Sequence, residues 1–261
     1  MKYFKKSLGQ NFLIDKNVIK KISDLAKLKN KNIIEIGPGN GAMTNEILKK
    51  NPKSLILIEK DNNLADALRE KYKKINKIKI FNFDILKFNL EKFIEKNSII
   101  LGNLPYNISS QILIKILKLK ECPPKYNDVI FMFQKELGCK IIGKFLTKDY
   151  GRLSILRNFK LVVVNNFDVS SNCFFPKPKV TSMVIHFKPK TQNKHKIKNI
   201  ESLEKITNIL FSNKRKMINK NLKKILSKEK ISKMKDLNLS YRPSELSPEL
   251  YYKITQLYEM N

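Results

Sequence analysis

With 261 residues, 42% of them hydrophobic and 29% charged, the chain can bury one substantial core and a small appendage. No apolar run approaches the roughly 20 residues of a membrane span, and Cys122, Cys139 and Cys173 are too few and too scattered for a disulfide framework or a zinc site. The formal net charge of +30 points to nucleic acid or another anionic surface, discounted because only Arg69, Arg152, Arg157, Arg215 and Arg242 are arginines and a Lys-, Asn- and Ile-rich chain is also what AT-rich coding produces.

The segment Met1–Gln10 is basic but lacks the apolar stretch of a signal peptide, so a cytoplasmic setting is expected. Short β-branched runs then alternate with amphipathic stretches, the pattern of βαβ units around a parallel sheet. The strands are expected at Asn32–Ile36, Ser54–Ile58, Lys77–Phe81, Ser98–Leu101 and Asp128–Phe133, with helices at Gly41–Lys50, Asn62–Lys73, Ser109–Leu119 and Lys135–Lys144. Two later runs, Phe159–Val164 and Ser182–Phe187, read as antiparallel strands added at one edge. From Lys188 to Asn199 the chain turns polar and basic, as a linker does. Beyond it only helical periodicity is present, at Glu201–Phe211, Met217–Leu226 and Pro248–Glu259. The expected architecture is a Rossmann-like, doubly wound α/β domain over residues 1–188 and a small all-helical domain over residues 189–261.

Three of the eight glycines, Gly37, Gly39 and Gly41, fall within five residues, directly after an apolar strand and before a helix. Glycine there lets the backbone turn sharply and approach a ligand with no Cβ in the way. Glu59 closes the next strand, where a carboxylate can accept from both ribose hydroxyls of an adenosine-bearing ligand, and Asp84 closes the third, where it can hold an adenine amine. Gly-rich turns also join strands to helices without binding anything, and Gly37–Ala42 fits the dinucleotide pattern as well, so a nicotinamide cofactor stays open on these residues alone.

After the fourth strand comes Gly102-Asn103-Leu104-Pro105-Tyr106. The exocyclic amine of adenine is a poor nucleophile because its lone pair is delocalised into the ring. Two acceptors, the Asn103 side-chain oxygen and the Leu104 carbonyl, can take its two N–H groups and favour a pyramidal nitrogen. Pro105 stiffens the turn, and Tyr106 offers a ring for the extracted base to stack on. Hydride transfer to a nicotinamide needs no such tetrapeptide.

Seven motifs in order, Gly9–Leu13, Gly37–Gly41, Asn103–Tyr106, Phe133–Glu136, Tyr150–Ser154, Phe174–Ser182 and Arg242-Pro243, run nearly end to end. Through them the chain resembles the KsgA-type small-subunit ribosomal RNA adenine dimethyltransferases. The resemblance implies S-adenosyl-L-methionine as cofactor and two methyl transfers to N6 of each of two adjacent adenines in the 3′-terminal hairpin of 16S ribosomal RNA. It implies a monomer that acts on RNA within the assembling 30S particle. It adds Asn11 and Leu13 to Gly37, Gly39, Glu59, Asp84 and Asn103 as cofactor-lining residues, and matches Phe174 to the family's second stacking aromatic beside Asn103, Leu104, Pro105 and Tyr106. Phe175 stands where a small residue is usual.

Two alternatives stay open: a large-subunit adenine dimethyltransferase of the macrolide-resistance type, against which the Gly-Pro-Gly form of the loop argues, and a non-catalytic assembly or transcription factor on the same fold. His186 and His195 read as strand and linker residues rather than ligands, and no metal is expected. Cys173 reads as a small packing residue. Lys214-Arg215-Lys216 is either a solvated helix end or an RNA phosphate contact.

Overall fold

The computed structural model describes residues 11–121, 123–190 and 194–260, so Gly9, Gln10 and Cys122 lie outside the described residues. Nine strands follow in chain order: β1 (Phe12–Leu13), β2 (Asn32–Ile36), β3 (Ser54–Glu59), β4 (Ile78–Asn82), β5 (Ser98–Asn103), β6 (Tyr126–Gln134), β7 (Leu161–Val169), β8 (Phe174–Phe175) and β9 (Ser182–Pro189). The helices up to β7 are α1 (Lys16–Ser23), α2 (Ala42–Lys49), α3 (Asn62–Tyr72), α4 (Ser109–Leu117), α5 (Lys135–Ile142) and α6 (Arg152–Lys160).

Seven strands form one sheet in the order β4-β3-β2-β5-β6-β9-β7, and β1 pairs with β8 in a separate two-stranded sheet. The strands from β4 to β6 are parallel, and β9 runs antiparallel to β6. A parallel strand covered on both faces has no polar side to show, so β2 and β5 read as near-continuous apolar runs and are buried almost throughout. Ile33, Leu55, Leu57, Leu101 and Ile130 pack from the sheet into one core with Ile22 of α1, Ile47 of α2 and Leu68 of α3. Each such side chain contributes about 1.5–3 kcal/mol of transfer free energy.

The strand order reverses at β2, which has β3 on one side and β5 on the other. At such a switch point the loops leaving neighbouring strands diverge and open a crevice beyond their carboxyl ends. Register pairs Ile36 with both Ile58 and Gly102, so the residues that follow these three positions emerge side by side. Those residues are the glycine loop, Glu59 and Asn103.

The chain divides into two compact units, one holding the chain through Gly138 and Val163–Pro189, the other Cys139–Val162 and Lys190 onward. This corrects the expected partition: the second unit is not only C-terminal. The reason is α6, which stands where the sequence reads as a strand beginning at Phe159. Arg152–Lys160 buries Ile155, Leu156 and Phe159 as a helical stripe, and β7 begins only at Leu161.

The second unit also holds α7 (Ile200–Phe211), α8 (Asn219–Leu222), α9 (Lys228–Ser232) and α10 (Pro248–Glu259). The expected helix over Met217–Leu226 is helical only at α8. Tyrosines fill this core and satisfy their hydroxyls on backbone carbonyls: Tyr150 donates to Leu246 at 2.8 Å, Tyr251 to Pro243 at 2.7 Å and Tyr252 to Ile155 at 3.1 Å. Lys214, Arg215 and Lys216 are exposed in the turn that follows α7. No helix among the described residues is long and apolar enough to cross a membrane.

Candidate active site

A cleft opens in the first unit at the carboxyl ends of β2, β3, β4 and β5. Of the residues expected to bind cofactor or substrate, Asn11, Leu13, Gly37, Gly39, Glu59, Asp84, Asn103, Leu104, Pro105 and Tyr106 all line it.

The loop between β2 and α2 has left-handed backbone at Gly37 (φ 68°), Gly39 (φ 57°) and Gly41 (φ 77°), a region closed to most side chains. At Gly39 space is short too, since a Cβ would stand 3.0 Å from the Phe12 ring. The loop is anchored from α3, whose Tyr72 hydroxyl has its one proton between two acceptors, Asn45 Oδ1 at 2.7 Å and the Gly41 carbonyl at 3.1 Å.

Glu59 caps this arrangement. Its Oε2 accepts from the Gly39 amide at 3.1 Å and its Oε1 from the Asp61 amide at 2.9 Å. A carboxylate has about four acceptor sites, so these two bonds do not exhaust its capacity for a ligand hydroxyl. Burial raises its pKa, and the amide hydrogen bonds oppose the rise. Asp84 is held lower than an ordinary carboxyl by the Lys60 ammonium, which donates to Oδ2 at 2.9 Å, while the Leu86 amide donates to Oδ1 at 2.9 Å.

The tetrapeptide after β5 is fixed at both ends. Asn103 Nδ2 donates to the Asn11 carbonyl at 3.0 Å, which leaves Oδ1 as the acceptor a ligand can use. The Tyr106 hydroxyl hydrogen-bonds Ser182 Oγ at 2.5 Å, tying the ring to the first residue of β9. Burial raises the tyrosine pKa, so the ring enters the site as a neutral phenol.

Phe174 is the exception. It pairs with Leu13 across the β1–β8 ladder, and both lie on the buried face, Phe174 at 3% exposure. Its ring packs in the core cluster, and it is not among the residues that line the cleft.

Periodicity does not single out Glu35, which lines the cleft from inside β2. It is fully buried, accepts from Thr44 Oγ1 at 2.7 Å through Oε2, and has no partner on Oε1. Burial pushes its pKa up to about 7. The signal is present in the sequence: a carboxylate in the middle of Ile-Ile-Glu-Ile, two residues before Gly37, has no ordinary reason to be there. Lys60 and Phe12 also line the cleft; neither is among the expected site residues, although Phe12 lies within the Gly9–Leu13 motif.

His186 sits in β9 with Nε2 at 2.7 Å from Asp128 Oδ1, buried and not among the residues that line the cleft, and His195 hydrogen-bonds Gln256 at 3.2 Å. Among the described residues no cluster of His, Cys, Asp and Glu could hold a metal ion.

A family profile described as "Ribosomal RNA adenine dimethylase" matches residues 1–260. The "Ribosomal RNA small subunit methyltransferase A" of Pelagibacter ubique is 43% identical over 98% of this chain and 97% of its own length. That of Malacoplasma penetrans is 39% identical over 95% of this chain and 90% of its own. Among solved structures, a dimethyladenosine transferase from Plasmodium falciparum superposes with a TM-score of 0.75 at 23% identity, over 93% of this chain and 95% of that one. The 23S rRNA methyltransferase ErmE superposes at 0.67 and 23% identity, over 95% and 100% of the two chains. At that identity both speak for the fold. A profile match over nearly the whole length and relatives at about 40% identity decide the rest: the chain belongs to the ribosomal RNA adenine dimethylase family.

Proposed function

We propose that this protein dimethylates N6 of two adjacent adenines in the 3′-terminal hairpin of small-subunit ribosomal RNA, using S-adenosyl-L-methionine, as a cytoplasmic monomer working on the assembling small subunit. The observation that carries the reading is the meeting, in one cleft, of the Glu59 carboxylate, a glycine loop and an oriented Asn103 amide. The cleft fits the cofactor on its own terms. Glu35 Oε1 is a buried acceptor with no protein partner, as a cationic ligand would require, and a Cβ at Gly39 would crowd the loop.

On this reading Glu59 holds the ribose hydroxyls, Asp84 the adenine amine of the cofactor, and Glu35 faces its positive charge. When bound, the cofactor supplies an electrophilic methyl group on a sulfonium. Asn103 Oδ1 and the Leu104 carbonyl accept the two N–H groups of the target amine and draw its lone pair out of conjugation with the ring. Tyr106, braced by Ser182, supports the base face. The target must leave its stack or be unpaired to reach these groups. No side-chain base is needed, because an N6-alkylated adenine ammonium loses its proton readily to water.

The test is transfer of labelled methyl groups from S-adenosyl-L-methionine to small subunits lacking the modification and, in parallel, to large-subunit RNA, with the product nucleosides mapped in each RNA. N6,N6-dimethyladenine at two adjacent 3′-terminal positions is expected. Label appearing only in large-subunit RNA would replace the reading with the macrolide-resistance type, and no transfer at all would leave a non-catalytic factor.

A further inference from the structure

We infer that Phe175 is a base-stacking residue that takes the RNA base next to the target adenine. The inference rests on the methylation reading above and deepens it. Its root is the two-residue ladder of β1 and β8, in which Phe12 lies opposite Phe175 and Leu13 opposite Phe174. Directly opposed residues of an antiparallel pair project to the same face, and successive residues to opposite faces. The inner face is Leu13 and Phe174, at 4% and 3% exposure. The outer face is therefore Phe12 and Phe175.

That outer face meets the cleft at Phe12. Phe12 lines it and its ring covers Gly39. Phe175 continues the face outward with 47% of its surface exposed, an aromatic ring left about half open to solvent. The face also begins beside the chemistry, because Asn11, immediately before Phe12, holds the Asn103 amide. With the target amine on Asn103, a ring one cross-strand step beyond Phe12 is placed for the flanking nucleotide.

The flanking charge selects the occupant. Lys177 and Lys179, two and four residues past Phe175, are both exposed. A flat apolar ring followed by two ammonium groups suits an unstacked base with its phosphates, since aromatic rings accept any base face and lysines neutralise the backbone. An apolar protein partner would leave those charges without counterpart.

The test removes each side of the contact in turn. Small subunits are reconstituted with an abasic nucleotide in place of the base on either side of one target adenine, and KM and kcat for methylation of that adenine alone are measured with wild-type enzyme, Phe175→Ala and Phe175→Tyr. Loss of one stacked base should raise KM about fivefold or more with kcat little changed. The penalty should appear with wild-type and Phe175→Tyr enzyme at one flanking position and vanish with Phe175→Ala, whose circular dichroism should match wild type. An equal abasic penalty with wild-type and Phe175→Ala enzyme, or none with wild type, overturns the inference. Failure of the methylation reading is separate, because it shows as no transfer by wild-type enzyme to intact subunits, with subunit binding by the same variants then reading the contact directly.

Discussion

Asn103 Nδ2 donates to the carbonyl of Asn11, 92 residues earlier in the chain, at 3.0 Å. This bond decides which way the amide faces, and so turns a side chain with two donors and one acceptor into a directed acceptor. The charge that develops on the amine during methylation grows toward Oδ1. Asn103→Ala should therefore lower single-turnover rate at saturating cofactor by about a hundredfold, the usual cost of one preorganised electrostatic contact, while RNA affinity changes little. Single-turnover rates near wild type would remove Asn103 from the chemistry.

Glu59→Ala removes the ribose acceptors. Hydrogen bonds to a charged group contribute roughly 1.5–3 kcal/mol each, so S-adenosyl-L-methionine affinity should fall at least tenfold by calorimetry. Because the change also strands the Gly39 and Asp61 amides, Glu59→Gln is the companion variant. It keeps the volume and one acceptor oxygen, and should lie between wild type and Ala. Undiminished affinity in both would refute the assignment.

Much of this arrangement is legible as sequence, and the remainder is not, for physical reasons. Strands buried on both faces announce themselves as apolar runs, which is why Asn32–Ile36 and Ser98–Leu101 are readable. The β1–β8 ladder is too short for any periodicity to appear. In Phe174-Phe175 the two residues are chemically identical, so only the alternation of the ladder tells which ring goes inward. The helix α6 is hidden because Arg152–Lys160 runs straight into β7 with no glycine or proline between them. Glu35 escapes notice because its meaning lies in a missing partner, and a sequence does not show partners.

Glu35 also makes a pH prediction. Burial raises its pKa from an ordinary 4.5 to about 7 in the ligand-free protein. A raised carboxyl pKa means that the folded state binds the proton more tightly than the unfolded state. The stabilising effect is then full below the unfolded value and is lost as pH rises toward 7. Denaturant midpoints of wild type should fall across that window relative to Glu35→Gln, which should show no such component. If Glu35 faces the cofactor's positive charge, affinity for S-adenosyl-L-methionine should run the opposite way, rising with pH as Glu35 ionises, and this rise should be absent in Glu35→Gln. Parallel profiles for the two proteins would show that Glu35 does not titrate there.

The tail is the remaining question, because charge alone does not distinguish an RNA contact from codon bias. Lys214, Arg215 and Lys216 occupy an exposed turn after α7. We propose that this unit docks the enzyme on folded ribosomal RNA, its cations positioning the protein on phosphates without reading sequence. Binding of this kind releases counterions, and affinity then falls steeply with salt. Replacing the three residues by alanine should weaken binding to the small subunit and flatten the salt dependence, the log–log slope changing by up to about 0.7 for each phosphate no longer neutralised on single-stranded RNA. Cofactor affinity should be unchanged, since every residue lining that cleft belongs to the first unit. If the lysines only face solvent, neither affinity nor slope will move, and a titration at several salt concentrations separates the two outcomes.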